Sequence, residues 1–172
     1  MSGAHRILQA PSLLDRLLDD APEVLVDASR TRQQQLRGIR AALGRDLEAL
    51  LNTRCCPVTP PPGLTELRAS LLAYGTPDFI GVTMVSRDQR QAFARKLEAT
   101  IRTFEPRLRD VAVTVLDARN ATERMMRLRI SATAILHEDT AAVTFASALD
   151  PTTLLFRIAE ERGGAGRADG DA

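Results

Sequence analysis

The spacing of apolar residues changes at Pro106, and this change limits the possible folds more than any other feature. Before it, apolar side chains recur every three or four residues, as on one face of a helix: Phe93, Leu97, Ile101 and Phe104. After it, valines occupy every second position of residues 111–115, as in a half-buried strand. Proline lacks a backbone N–H and restricts the residue before it, so it ends a helix. We predict a helix over residues 87–104, capped by Ser86 and followed by a strand.

Three other segments carry apolar residues at helical spacing. Residues 31–51 make the longest of them, and residues 12–18 make a short amphipathic helix with Ser12 as its N-cap. Residues 64–73 predict a third helix, after which the chain turns at Gly75. The four prolines within residues 52–63 predict a loop between two of these helices.

The second half of the chain is predicted to form strands. Apolar residues alternate with other residues over 111–116, 124–136 and 141–147, and residues 154–158 are expected to add an edge element. Short connections between the runs favour an antiparallel meander. Helices that precede a small, mainly antiparallel sheet indicate an α+β fold, with the helices packed on one face.

A chain of 172 residues fits one main domain. We divide it into an N-terminal segment (1–30) with a short amphipathic helix, a single α+β domain (31–158) and a tail (159–172). The tail is rich in glycine and small polar residues, and is expected to be disordered.

Composition excludes several classes of protein. No run reaches the roughly 20 apolar residues of a membrane-spanning helix, and residues 1–10 lack the pattern of a signal peptide, which predicts a cytoplasmic protein with no membrane insertion. A net charge of +1 and 3% aromatic residues argue against nucleic-acid binding. Arg124, Arg127 and Arg129 form a local basic patch, which we interpret as a solvated strand face rather than a nucleic-acid contact.

Residues suited to catalysis or metal binding are scarce. His5 and His137 are the only histidines, and no glycine-rich phosphate loop is present. Cys55 and Cys56 are adjacent and too few for a four-ligand metal site, so we expect reduced thiols, with a redox pair as the alternative. The sequence predicts no metal, cofactor or small-molecule substrate.

Glu98 and Glu105 are the one carboxylate pair that we weighed for glycoside hydrolysis. They lie seven positions apart, about 10 Å along one helix, with arginines between them. We expect arginine to pair with them, which would prevent either from serving as a general acid. The sequence therefore predicts no enzyme, and a cell-wall glycosidase is the alternative.

Glu105, Pro106 and Arg107 form a charged corner between the helix and the first strand. A glutamate and an arginine on either side of a rigid proline suit a bidentate ion pair. From the residues alone, that pair could close within the fold or reach another chain.

Several short motifs occur together in one order. They are Leu13-Leu14-Asp15-Arg16-Leu17, Leu50-Leu51-Asn52-Thr53-Arg54, Tyr74-Gly75-Thr76-Pro77-Asp78, Phe104-Glu105-Pro106-Arg107-Leu108 and Val111-Ala112-Val113. Over residues 12 to 150 this order resembles the TssE family of type VI secretion baseplates. The wider family includes the wedge protein of contractile phage baseplates, once described as lysozyme-like. Thr76, where leucine is commoner, and the Cys55-Cys56 pair depart from the family pattern.

The resemblance implies a non-enzymatic structural protein of a phage-tail-like secretion machine, in the cytoplasm at the inner face of the cell envelope. Its partners would be the wedge subunits TssF and TssG and the sheath proteins TssB and TssC. Glu105, Pro106 and Arg107 would dock the domain on the wedge. The fold would be similar to the interlocking domain of sheath proteins, with sheet edges that help to anchor the sheath. A baseplate protein of a phage or of a phage-derived injection system is the alternative.

Overall fold

The computed structural model describes residues 31–57, 61, 63–76, 86–117, 125–136, 139–150 and 152–161. Its helices are α1 (Arg32–Asn52), α2 (Arg87–Phe104) and two 3-10 helices (Thr65–Ala69 and Leu71–Ala73). Its strands are β1 (Leu108–Leu116), β2 (Met126–Leu136), β3 (Asp139–Leu149) and β4 (Phe156–Glu160). The strands form one antiparallel sheet in the order β1-β2-β3-β4, which confirms the α+β fold and the meander.

Both long helices begin where a hydroxyl side chain caps the first turn. Ser86 accepts a hydrogen bond from the Gln89 backbone N–H at 3.1 Å, and its own N–H donates to the Gln89 side chain at 3.1 Å. Thr31 and Gln34 make the same reciprocal pair at the start of α1. These capping boxes satisfy donors that a helix start otherwise leaves unpaired. The predicted cap and bounds of α2 are confirmed.

The core lies between one face of the sheet and the two helices. Buried side chains of the strands alternate along the chain, as the period of two predicted: Val111, Val113, Leu128, Ile130, Ala132, Ala134, Val143 and Phe145. The helices contribute residues from their apolar stripes: Leu43, Leu47, Leu50, Leu51, Phe93, Leu97 and Ile101. The rings of Phe93 and Phe156 stack with centroids 6.4 Å apart, which joins α2 to β4.

A β-bulge interrupts the pairing of β1 with β2. The register shifts between Arg109 and Ala112, and Asp110 has a φ of 51°. Aspartate tolerates this left-handed conformation better than most side chains do. The extra residue changes which residues of β1 face β2 on either side of the bulge.

The helix predicted over residues 64–73 is not one continuous helix with a buried apolar stripe. The structure has the two 3-10 helices there, separated by Ser70. The Ser70 hydroxyl donates to the carbonyl of Leu67 at 2.8 Å and accepts from the N–H of Leu72 at 3.3 Å. These local bonds compete with those of an α-helix. As a result Leu71 and Leu72 are 88% and 60% exposed, and the expected apolar stripe is not buried.

Other predictions extend beyond the described residues. The helix over residues 12–18, Arg124, His5, His137 and most of the tail lie outside them. The predicted edge element is confirmed as β4, which reaches Glu160, two residues past the expected end of the domain at 158. The division of the chain into segments stays a prediction.

Ile101→Ala is expected to lower the free energy of unfolding by about 2–5 kcal/mol, because it leaves a cavity in the core. Ile101 is fully buried in α2. Urea unfolding followed by circular dichroism measures the change. Arg95→Ala, on the exposed side of the same helix, is the control and should alter stability by less than about 0.5 kcal/mol. Equal stability of both variants would contradict the assigned face of α2.

Candidate functional site

The corner from Glu105 to Arg107 is held by backbone bonds on both sides. The N–H of Glu105 donates to the carbonyl of Ile101 at 2.8 Å, which closes α2, and the N–H of Leu108 donates to the carbonyl of Glu105 at 3.0 Å. The carbonyl of Arg107 accepts from the N–H of Ile135 in β2 at 2.8 Å. The corner therefore has a fixed position relative to helix and sheet.

Arg107 makes a three-membered charge cluster with two carboxylates. Its Nε and Nη2 atoms donate to the two oxygens of Glu105 at 2.6 and 2.5 Å, as a bidentate pair. Nη2 also donates to Oδ2 of Asp46 in α1 at 2.6 Å. The ion pair that the sequence left open is closed within the fold. The cluster joins both long helices to the start of β1.

Burial is unequal within the cluster. The side chain of Glu105 is 8% exposed, whereas those of Arg107 and Asp46 are each 30% exposed. Pro106 between them is exposed. The ring of Pro106 and about a third of the Arg107 side chain are therefore the exposed parts of this corner. Glu105 is a positioning residue that holds the arginine in place.

The charges of the cluster also affect its neighbours. Hydrogen bonding to Glu105 raises the pKa of Arg107 above its ordinary value despite partial burial, and Asp46 adds to the effect. The pKa of Tyr74 is raised mainly by burial, and then by the charges of Asp46 and Glu105. The Tyr74 ring stands edge-on to Phe104 with centroids 5.3 Å apart. Tyr74 therefore lies close to the base of the corner.

Asp46 is the member of the cluster that the sequence did not indicate. It lies 61 positions before Arg107 and sits among the leucines of α1. A single acidic residue on an amphipathic helix is usually interpreted as part of the solvated face. Only the packing of α1 beside the corner reveals its role.

A second polar cluster joins two of the sequence motifs. The guanidinium of Arg54 donates to the Thr76 hydroxyl and to the carbonyl of Leu154, each at 2.9 Å. Thr76 is fully buried, and its hydroxyl lies 3.1 Å from the carbonyl oxygen of Leu51. The hydroxyl at this departure from the family pattern is thus hydrogen-bonded inside the fold, as buried polar groups need to be.

Gly75 allows the backbone to pass close to the end of α1. Its φ is 109°, and a Cβ at this position would lie 2.5 Å from the carbonyl oxygen of Thr53. The predicted turn at Gly75 is confirmed. The close approach lets the N–H of Thr76 donate to that carbonyl at 2.8 Å.

Gly75→Ala is expected to destabilise the protein by about 1–3 kcal/mol, because the added methyl group meets a carbonyl oxygen and the backbone is strained. Gly38→Ala provides a matched control. A Cβ at Gly38 meets nothing within 4 Å, and alanine should stabilise that exposed helix position by about 0.5–1 kcal/mol. Thermal melts of the two variants should therefore shift in opposite directions; a shared direction would contradict this account of the turn.

The residues weighed for catalysis are occupied by other contacts. Glu98 pairs with Arg102 at 2.8 Å and accepts the Val113 N–H at 3.2 Å. Glu105 is bonded to Arg107. Cys55 and Cys56 are free thiols. Among the described residues, no group of three or more His, Cys, Asp or Glu residues is arranged to hold a metal ion.

No helix in the described ranges is long and apolar enough to cross a membrane. Arg129, part of the predicted basic patch, bonds to Glu161 through its Nε at 2.8 Å and its Nη2 at 2.9 Å. At this position the strand face carries a balanced ion pair.

Glu105→Ala is expected to cost about 2–3 kcal/mol of folding free energy, because it leaves a partly buried guanidinium without its two main acceptors. Asp46→Ala removes a single bond at a more exposed carboxylate and should cost about 1 kcal/mol or less. Urea unfolding of both variants tests the order. A larger loss in Asp46→Ala would mean that the contact with α1 dominates the cluster.

Comparison with known proteins adds one match. The family model described as "Baseplate wedge protein gp25" matches residues 37–139, which are more than half of the chain and include the corner. A search of curated proteins found no significant match. The matched region runs from α1 to the start of β3. The chain belongs to the gp25 family of baseplate wedge proteins.

Proposed function

We propose that this protein is a TssE-type subunit of a type VI secretion baseplate. It docks on the wedge subunits TssF and TssG through Pro106 and Arg107 and helps to anchor or nucleate the TssB–TssC sheath. It works in the cytoplasm, at the inner face of the cell envelope. The observation that carries the proposal is an exposed proline–arginine corner, locked by two carboxylates, in a domain of the baseplate wedge family.

Rigidity suits the corner to docking. Association costs less when the binding groups are already held in place. Here the guanidinium is fixed by Glu105 and Asp46 before any partner arrives, and Pro106 restricts the backbone next to it. Nε and Nη2 of Arg107 are used by the two carboxylates, so Nη1 is the atom whose two N–H groups can donate to a carboxylate or a backbone carbonyl of a partner.

The sheet offers a different kind of contact to the sheath. An extended segment can join the edge of a sheet and gain main-chain hydrogen bonds. The four-stranded antiparallel sheet of this protein has β1 and β4 at its edges. The corner and the sheet thus supply two separate surfaces, one for the wedge and one for the sheath.

The family assignment favours a structural role over catalysis. Glycoside hydrolysis needs a free pair of carboxyl groups, whereas Glu98 and Glu105 are each bonded to an arginine. We expect purified protein to release no sugar from peptidoglycan. Release that disappears in Glu105→Gln would overturn this view.

A baseplate of a phage or of a phage-derived injection system is the second candidate. The matched family is described only as baseplate wedge protein, and that description fits both kinds of machine. Neighbouring genes separate them: genes for TssF and TssG support the secretion system, and genes for phage tail proteins support the alternative.

Arg107→Lys tests the docking surface. Lysine keeps the positive charge near Asp46 and Glu105 but loses the planar fork. We expect recovery of TssF and TssG from a native lysate to fall roughly tenfold or more, the equivalent of about 1.4 kcal/mol, while the protein stays folded by circular dichroism. We prefer this variant to Arg107→Glu, which would place a third carboxylate in the cluster.

Arg109→Lys is the matched control, because Arg109 lies two residues away and is exposed. Its recovery of the wedge subunits should equal that of the wild type. Equal recovery by all three proteins would move the docking surface away from the corner. If the wild-type protein recovers no wedge subunits from the lysate, the result favours the second candidate.

A further inference from the structure

The described helices cover only one of the two faces of the sheet. On β3, the odd-numbered residues from Val143 to Leu149 are buried in the core, so the even-numbered residues from Thr140 to Ala148 point away from the helices. These outward side chains are all alanine or threonine. The face that they form, which we call the outer face of the sheet, therefore has small side chains along its middle.

Arginines of the neighbouring strands stand on both sides of these small residues. Arg127 and Arg129 of β2 flank the buried Leu128, so both point outward. Arg157 of β4 follows the buried Phe156 and points outward for the same reason. The pairing of the strands shows which residues lie between the arginines.

Arg129 is bonded to a carboxylate on this face. Its Nε and Nη2 atoms donate to the two oxygens of Glu161 at 2.8 and 2.9 Å. Arg129 lies opposite Ala146 of β3, and Glu161 lies on the far side of β3, where its N–H donates to the Thr144 carbonyl at 2.8 Å. An outward arginine of β2 can therefore reach across β3, above small side chains, to a carboxylate.

The next row of residues across the sheet has two arginines and no acidic residue. Ala148 of β3 pairs with Arg127 on one side and with Arg157 on the other. Since neighbouring strands are about 4.8 Å apart, the Cα atoms of the two arginines are roughly 10 Å apart. Within the described part of the chain, neither arginine bonds to a carboxylate. Arg127 helps to lower the pKa of Glu161 through its charge alone, whereas the main cause is hydrogen bonding to Arg129.

Asp150, the acidic residue that directly follows β3, is bound elsewhere. Its Oδ1 atom accepts hydrogen bonds from the N–H groups of Thr152 at 2.8 Å and Thr153 at 3.5 Å. These bonds, chiefly the one from Thr152, lower the pKa of Asp150. Asp150 is therefore a turn residue and not a partner of Arg127 or Arg157.

We propose that Arg127 and Arg157 form a carboxylate-binding site above Ala148, which receives a glutamate from a helix of another protein. Two cations on either side of a methyl group attract an anion placed between them. Each guanidinium group can donate to the carboxylate with charge-assisted hydrogen bonds, as Arg129 does with Glu161. The site is separate from the corner at Arg107, and it does not depend on the kind of baseplate in which the protein works.

The backbone of the sheet determines the form of the partner segment. Strand β3 pairs with β2 on one side and with β4 on the other, so its backbone groups are not offered to a segment that lies on its face. Such a segment must satisfy its own backbone N–H and carbonyl groups, as a helix does. The small side chains of Ala146 and Ala148 allow the helix to approach closely.

Phosphate groups also bind arginine, but the outer face lacks a second feature of nucleic-acid sites. Bases of single strands stack on aromatic side chains. The described aromatic residues belong to the core or pack against it: Tyr74, Phe93, Phe104, Phe145 and Phe156. None of them is placed to stack on a base above Ala148, which favours a protein carboxylate as the ligand.

Ala148→Glu tests the site within the chain. It places a carboxylate between Arg127 and Arg157, and it should melt about 2–4 °C higher than Ala148→Gln. Glutamine is the matched control, because it has nearly the same size and no charge. The difference should disappear when Arg127→Gln and Arg157→Gln are added to both variants. Equal melting of Ala148→Glu and Ala148→Gln, or a difference that persists without the arginines, overturns the proposed geometry.

Two synthetic helical peptides test binding from outside. Both consist of alanine and glutamine, and one of them has a single glutamate at its centre. Heteronuclear NMR follows the Nε–H signals of the arginines. The glutamate peptide should shift the signals of Arg127 and Arg157 until they saturate, and the all-neutral peptide should bind at least about tenfold more weakly.

Substitutions locate the bound peptide. Arg127→Gln should weaken binding of the glutamate peptide at least about tenfold. Arg95→Gln removes the same charge from the exposed side of α2 and should bind as the wild type does. Equal affinity of these two variants, or equal affinity of the wild type for the two peptides, overturns the proposal. The titration of the wild-type protein decides the case if a variant does not fold.

Two further measurements separate the other possible ligands. Tighter binding of a single-stranded oligonucleotide than of the glutamate peptide, at the same ionic strength, would make the arginines a phosphate site and overturn the proposal. Self-association of the wild type that is lost in Arg127→Gln, measured by light scattering, would identify a second copy of the chain as the ligand. That result would overturn the assignment to another protein.

Discussion

Arg107 receives its two carboxylate partners from different parts of the chain, one from the end of α2 and one from the middle of α1. Its backbone carbonyl is bonded to β2. The two helices and the sheet therefore meet at one guanidinium group, and the hydrophobic core fills the space that this junction defines. Apolar packing supplies most of the free energy of folding but is not directional. Hydrogen bonds of fixed geometry specify how the layers are oriented.

Polar residues of the helices perform a task that their position in the sequence does not reveal. The sequence suggests solvated helix positions for Glu48, Glu98 and Arg102 and a loop position for Asn52, yet each of the four bonds to the backbone of an edge strand. Natural sheets protect their edges against uncontrolled pairing. Here the protection comes from neighbouring helices, because side chains of α1 bond to the backbone of β4 and side chains of α2 bond to the backbone of β1.

Local patterns predicted much of this fold. The cap at Ser86, the end of α2 before Pro106 and the alternating strands all depend on residues within a few positions of one another, which a single sequence displays directly. The errors and omissions have longer-range or competing causes. Hydrogen bonds of Ser70 favour 3-10 helices over an α-helix in the leucine-rich residues 64–73. Asp46 and Arg54 act on residues far along the chain, so their partners became known only from the packing. The role of the corner in docking is still a proposal.

The bulge at Asp110 determines which of the following residues of β1 turn their backbone groups toward β2 and which turn them outward. Before the bulge, an odd-numbered residue, Arg107, turns its backbone carbonyl toward β2. After the bulge, the odd-numbered Val111 and Val113 turn backbone groups away from β2, toward side chains of α2. Deleting or inserting one residue here would reverse that assignment and turn the valines away from the core. The interval between Pro106 and Val115 should therefore be under strong selection for constant length. Divergent relatives are expected to vary freely in the identity of its exposed residues, while insertions and deletions accumulate in the connections outside it.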